Sequence, residues 1–136
     1  MRRFFIVLLT FLLEIMIKYR EADEFKKDLK KLLKRFRSLP EDLEVAKRAV
    51  IELRHLKNID NLATFEIPGF NSEKNTFWKI KKFACKSLRG SGVKSGIRII
   101  YCWQEKEKNI FFLEIYFKGD RKNENSDRIK KYKNIF

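Results

Sequence analysis

Apolar residues recur with a helical period up to about residue 56 and with a strand-like period from residue 77 onward. Phe25, Leu29, Leu32, Leu33 and Phe36 form one stripe of an amphipathic helix, which Asp23 is placed to cap. The other face of that helix is rich in lysine. Ser38-Leu39-Pro40-Glu41 interrupts it and opens a second helix: Ser38 and Glu41 stand at capping-box spacing, with proline in the first turn. The second helix presents Leu43, Ala46, Val50 and Leu53 and runs to about Leu56. Two such helices with so short a connection predict a helical hairpin.

Three β-like runs follow, at 77–86, 97–104 and 109–118, with a polar hairpin turn at 105–108. The link 87–96 holds Gly90, Gly92 and Gly96 and reads as a mobile basic loop. Residues 17–20 predict a short strand, and 57–77 a loop with one short strand near 65–67. Residues 124–132 read as a short basic helix or a tail. Helices followed by an antiparallel meander make an α+β domain, its N-terminal helical hairpin packed on a small antiparallel β-sheet.

A chain of 136 residues is one domain. With 44% hydrophobic residues, 5 Gly and 2 Pro, it is neither collagen-like nor disordered. Residues 1–15 stand apart: Arg2-Arg3 and the apolar run 4–13 resemble a signal peptide, but Glu14 follows at once and no small-residue cleavage site appears. They read as an apolar N-terminal extension outside the domain proper, 16–136, with an edge strand or membrane-surface anchor as the alternative. Ten apolar residues are too few to span a bilayer, which takes about 20. Cys85 and Cys102 are too few for a disulfide scaffold or a zinc site, so no metal and no cofactor is expected. They read as thiols of a reducing, cytoplasmic protein, although a bridge between paired strands stays open.

The net charge of +14 points to a polyanion, either nucleic acid or an acidic protein; a lysine-rich thermophile surface is the plainer reading. Half of that charge lies in 78–98, which contains no Asp or Glu. Strand alternation puts Lys79, Lys81, Phe83 and Cys85 on one face, and Arg98 with Ile100 and Cys102 on one face of the next run. A cation among apolar neighbours in a central strand is costly unless it meets an anion. That anion is either Glu114 of the neighbouring strand, in a structural ion pair, or a ligand. Lys79 and Lys81 serve equally as edge-strand gatekeepers, and Lys118 as a strand end.

Lys18-Tyr-Arg-Glu-Ala-Asp-Glu-Phe-Lys-Lys-Asp-Leu-Lys-Lys-Leu resembles the first strand and helix of RelE/ParE-type toxins of toxin–antitoxin modules. Trp78-Lys-Ile-Lys, Lys94-Ser-Gly-Ile-Arg-Ile-Ile-Tyr101 and Leu113-Glu-Ile-Tyr-Phe-Lys-Gly-Asp120 resemble successive strands of the RelE and HigB branches. The resemblance covers about 16–128. It implies a metal-independent, ribosome-dependent mRNA endoribonuclease, with the ribosome, mRNA and a cognate acidic antitoxin as partners and no membrane partner. The family's active-site cations fall on Lys79, Lys81 and Arg98, with Lys118 closing the last strand. The gyrase-directed ParE branch shares the fold without cleaving RNA, and a non-catalytic basic RNA-binding domain would use the same surface.

Cutting RNA through its own 2′-OH needs a base, an acid and stabilisation of added negative charge at phosphorus. His55 is the sole histidine, so a two-histidine mechanism is impossible, and its place on a helix favours a surface or structural role. Clustered lysines are expected to supply the chemistry, their pKa values lowered by neighbouring cations. Lys79 or Lys81 is then the base or its electrostatic partner, Arg98 forks onto the scissile phosphate, and Lys118 serves the leaving oxygen. Lys86, Arg89, Lys94 and Arg121 are expected phosphate contacts.

Overall fold

A computed structural model describes residues 2–136. Among them, five strands form one sheet: β1 (Lys18–Glu21), β2 (Thr64–Glu66), β3 (Asn75–Ile80), β4 (Ile97–Gln104) and β5 (Asn109–Phe117). Their order is β1-β5-β4-β3-β2. Strands β2 to β5 are antiparallel neighbours, as the meander predicted, but β1 pairs with β5 in parallel, so the sheet is mixed. The reason is topological. The helices carry the chain from one sheet edge to the other, and three reversals return it beside β1 in the same direction.

Helix α2 (Asp23–Leu33) buries Phe25 and Leu32. Ala22, in extended conformation, is its N-cap, and Asp23 does not cap. Asp23 and Glu24 lie instead in the first turn, with Lys30 and Lys31 in the last, where each sign complements the helix dipole. The second helix is a continuous rod: α3 (Leu39–Ala46), a π-helical segment (Lys47–Glu52) and α4 (Leu53–His55). The wider π turn rotates the inward face, so Ile51 is fully buried beside Val50 while Leu53 is only half-buried. The capping box does not form. Ser38 has helical dihedrals (φ −80°, ψ −6°) and its hydroxyl makes no cap bond.

The helices cover the sheet face bearing Trp78, Ile80, Ile99, Tyr101 and Phe112, where Phe25 stacks on Phe112 at 5.2 Å. The opposite face is not open. Helix α5 (Ser126–Ile135) crosses it, with Phe136 packed on Phe77 and Phe111 (centroids 6.5 and 5.2 Å) and Tyr132 on Phe111. Strand β3 stops at Ile80, six residues short of the predicted end, and Phe83 and Cys85 turn into the core from the following segment. Both cysteines are free and buried.

Residues Arg2–Ile15 form helix α1, so the edge strand considered for this segment is not formed; side chains 2–9 are exposed. Among the described residues, no helix is long and apolar enough to cross a membrane.

Candidate functional site

The end of the sheet face crossed by α5, beyond Phe77, carries the basic residues singled out in the sequence. Pairing Lys79 with Ile100, and Ile100 with Glu114, puts Lys79 and Glu114 on one face; Arg98, opposite Tyr116, shares it. An extra residue in β5, between the partners of Ile100 and Tyr101, lets Glu114 and Phe112 point to opposite sides. Lys81 is one step past the last β3 pair and stands across from Arg98.

The Arg98 guanidinium donates to the Lys81 carbonyl at 2.7 Å and to its neighbour's carbonyl, Ile97 O, at 3.3 Å. Neither acceptor is charged, and among the described residues no carboxylate pairs with it. The ion pair with Glu114 therefore does not exist. Glu114, 1% exposed, instead accepts from Arg121 at 2.7 Å and from the Asn125 backbone N–H at 3.0 Å, with Arg128 at 4.0 Å. The Lys81 ammonium lies over the Phe65 ring, 4.8 Å from its centroid. Lys118 is placed by its backbone N–H, which donates to Gly96 O at 2.8 Å, two residues before Arg98 on the adjacent strand.

Lys79 behaves differently from its neighbours. Its ammonium is 2.5 Å from Glu124 Oε2, the lysine side chain only 15% exposed. Burial pulls its pKa down, but the Glu124 carboxylate and the Tyr116 hydroxyl outweigh that and leave it above the ordinary lysine value. This is opposite to the direction a lysine base requires. In turn Lys79 holds the Glu124 carboxyl below its ordinary value against the opposing effect of burial.

The expected phosphate contacts separate into groups. Arg121 is occupied by Glu114 and lies over Tyr116, 4.7 Å from the ring centroid. Lys94, exposed, bridges to Phe83 in the loop between β3 and β4. Lys86 and Arg89 lie on the helix side, beside the α2–α3 turn. The structure thus brings Lys79, Lys81 and Arg98 together with the Lys118 backbone beside them, and leaves Lys86, Arg89 and Arg121 outside that group. Tyr116, Glu124 and Phe65 are site neighbours that sequence reading missed. Only Tyr116 carried a signal there, as the alternate residue after Glu114.

His55 is structural. Its Nε2 is 2.7 Å from the Tyr101 hydroxyl, its ring stacks on Trp103 at 4.7 Å and meets Trp78 edge-on. Burial, helped by Arg54, lowers its pKa to about 3, so it is neutral at physiological pH.

No protein-family model and no curated protein matches the chain. Solved structures similar to it include two whose own chains are covered almost entirely. One is the archaeal RelE–RelB complex from Pyrococcus horikoshii OT3, at 15% identity and TM-score 0.46, covering 76% of this chain and 96% of that one. The other is a metal-bound toxin from Helicobacter pylori, at 18% identity and TM-score 0.47, covering 78% and 99%. Neither likeness assigns a role to any residue of this chain.

Proposed function

We propose that this chain is the toxin of a toxin–antitoxin pair and cleaves translated mRNA by transphosphorylation. The observation that carries the reading is Arg98: a half-buried guanidinium fixed by two backbone carbonyls, its charge uncompensated, next to the exposed Lys81. A cation preorganised in this way, with free donors, suits a phosphodiester whose negative charge grows in the transition state. The resemblance of the strand sequences to the RelE branch supports the same assignment.

In this mechanism the RNA 2′-oxygen attacks the adjacent phosphorus and the bond from phosphorus to the 5′-oxygen breaks. The products are a 2′,3′-cyclic phosphate and a 5′-hydroxyl. Arg98 binds the non-bridging oxygens, the Lys81 ammonium adds positive charge beside it, and the 2′-hydroxyl proton leaves to water. Lys118 delivers a proton to the departing 5′-oxygen. Lys79, kept protonated by Glu124 and Tyr116, adds positive charge and transfers no proton. The partners are the ribosome with its mRNA and an acidic antitoxin that neutralises the basic surface.

Primer extension on mRNA after brief induction, with and without ribosomes, tests the proposal. Cuts that appear with the parent chain and vanish with Arg98→Ala support it. Intact mRNA in cells that stop growing with DNA damage would replace it with the gyrase-directed reading.

A further inference from the structure

A second cationic site lies away from the Arg98 group. The turn between α2 and α3 and the segment after β3 border a shallow, open cleft of about 530 Å³ lined by Arg35, Arg37, Ser38, Lys86, Ser87 and Arg89. Every lining side chain carries a hydrogen-bond donor; none is aliphatic or aromatic. Two of the four cations are engaged: Arg35 with Asp120 at 2.5 Å, and Lys86 with Glu41 at 3.4 Å across a wide, exposed gap. Arg37 and Arg89, both exposed, have no ion-pair partner among the described residues.

The two walls are tied together. Ser38 N–H donates to Ser87 Oγ at 2.9 Å, Ser87 N–H donates to Ser38 Oγ at 2.8 Å, and the two hydroxyls meet at 2.8 Å. Ser38 Oγ then donates to Asp42 Oδ2 at 2.6 Å, and Lys86 N–H donates to the same carboxylate at 3.2 Å. Asp42 is 4% exposed, so this clasp is anchored in the protein interior. It explains why Ser38 gives up its capping role. It also fixes Lys86 and Ser87 against the helix turn, at the start of the 87–96 loop that the sequence predicted to be mobile.

We propose that this clasped cleft is a sequence-indifferent subsite for the phosphodiester backbone of the RNA, separate from the cleavage site. The proposal rests on the reading of the chain as an RNA-directed toxin. Arginine forks match phosphate oxygens, and the clasp fixes the backbone that carries Arg37 and Arg89. An acidic protein would need apolar anchors at the centre of its interface, and this cleft has none. A base would need an aromatic platform or a specific edge contact, and neither is present. What remains is backbone recognition by charge, which positions the strand without reading it.

The test is fluorescence anisotropy of the full chain with a labelled single-stranded RNA, 2′-O-methylated throughout so that it binds but cannot be cut, across a salt series. Each lost phosphate contact lowers the slope of log affinity against log salt by about 0.7. Arg37→Ala with Arg89→Ala should therefore lower it by about 1.4, equally for RNAs of different sequence. The control, Lys57→Ala with Lys106→Ala, removes the same charge at the far end of the α3–α4 rod and at the β4–β5 turn. It should keep the parent slope. An unchanged slope in the cleft variant, or an equal loss in the control, overturns the proposal. So does poly-glutamate binding that weakens in the cleft variant while RNA binding does not, since the cleft would then be a peptide site. Cleavage of translated, unmodified mRNA by the parent, with ribosomes present, is read separately. Its absence, with the slope difference intact, would remove the nuclease reading and leave the subsite standing.

Discussion

Lowering the pH from 7 to 5 should destabilise this protein through one residue, His55. Its folded pKa of about 3 lies well below the ordinary histidine value near 6.5, because burial among Trp78, Tyr101 and Trp103 disfavours the imidazolium. The unfolded chain therefore binds a proton that the folded chain refuses. Stability from this group is full above the unfolded pKa, begins to fall as pH drops through it, and is exhausted near the folded pKa. Proton linkage over pH 7 to 5 gives a loss of about 2 kcal/mol. With a urea m-value of about 2 kcal/mol/M, the unfolding midpoint falls by about 1 M. The window is clean because the chain has one histidine. Glu24, lowered to about 2 chiefly by the hydrogen bond from Tyr132, and Glu124, lowered by Lys79 against burial, lose their contributions only below the ordinary carboxylate range. Urea titrations of the parent and of His55→Gln at both pH values measure the effect. The glutamine variant should show a flat profile across the window. Equal pH dependence in both proteins, or none in the parent, would refute the reasoning.

Gly96→Ala should cost about 1–2 kcal/mol by urea unfolding, because φ is +82° and the new methyl carbon would stand 3.2 Å from the Phe117 ring. Glu114→Ala should cost about 1–3 kcal/mol by the same assay. It removes a buried carboxylate that accepts from the part-buried Asn125 N–H, whereas Arg121 can turn to solvent and Arg128 keeps Asp28 at 2.6 Å. Cys85 and Cys102 should resist a thiol reagent in the native protein and react together on unfolding, since both are buried and burial raises Cys102 to about 12; fast labelling of Cys102 without unfolding would contradict its placement.

The fold was legible wherever local pattern and tertiary demand agree. Strand β4 begins and ends where its β-branched and aromatic run does, and β5 and the 105–108 turn follow the same rule. The parallel partnership of β1 was not legible, because direction depends on how the chain returns across the sheet rather than on the strand's own residues. Helix α5 was half legible: Ile129, Tyr132 and Phe136 are spaced for one helical face, yet the lysines between them left 124–132 open between a short basic helix and a tail. Its docking changes the site. It covers the Phe77 end of the second sheet face, and the segment before it brings in Glu124, which pairs with Lys79. The Ser38–Ser87–Asp42 clasp joins residues far apart in sequence, and a capping-box spacing at Ser38 concealed it. What sequence did supply was the position of Arg98 on the face shared by Lys79 and Lys81. Which cation keeps an uncompensated charge depended on carboxylates supplied by distant segments.

Arg98 therefore carries the decisive measurement. A translating extract programmed with a defined mRNA is treated with the parent chain or with Arg98→Ala, cut sites and their end groups are mapped, and the melting temperature of both proteins is recorded. The account predicts cuts bearing 2′,3′-cyclic phosphate and 5′-hydroxyl ends for the parent. It also predicts a rate lower by about 10²–10³ for the variant, by analogy with loss of a single oxyanion donor. Melting should be nearly unchanged, because Arg98 is tied only to backbone carbonyls. Parent-level cutting by Arg98→Ala, or loss of cutting that tracks a lowered melting temperature, would contradict it.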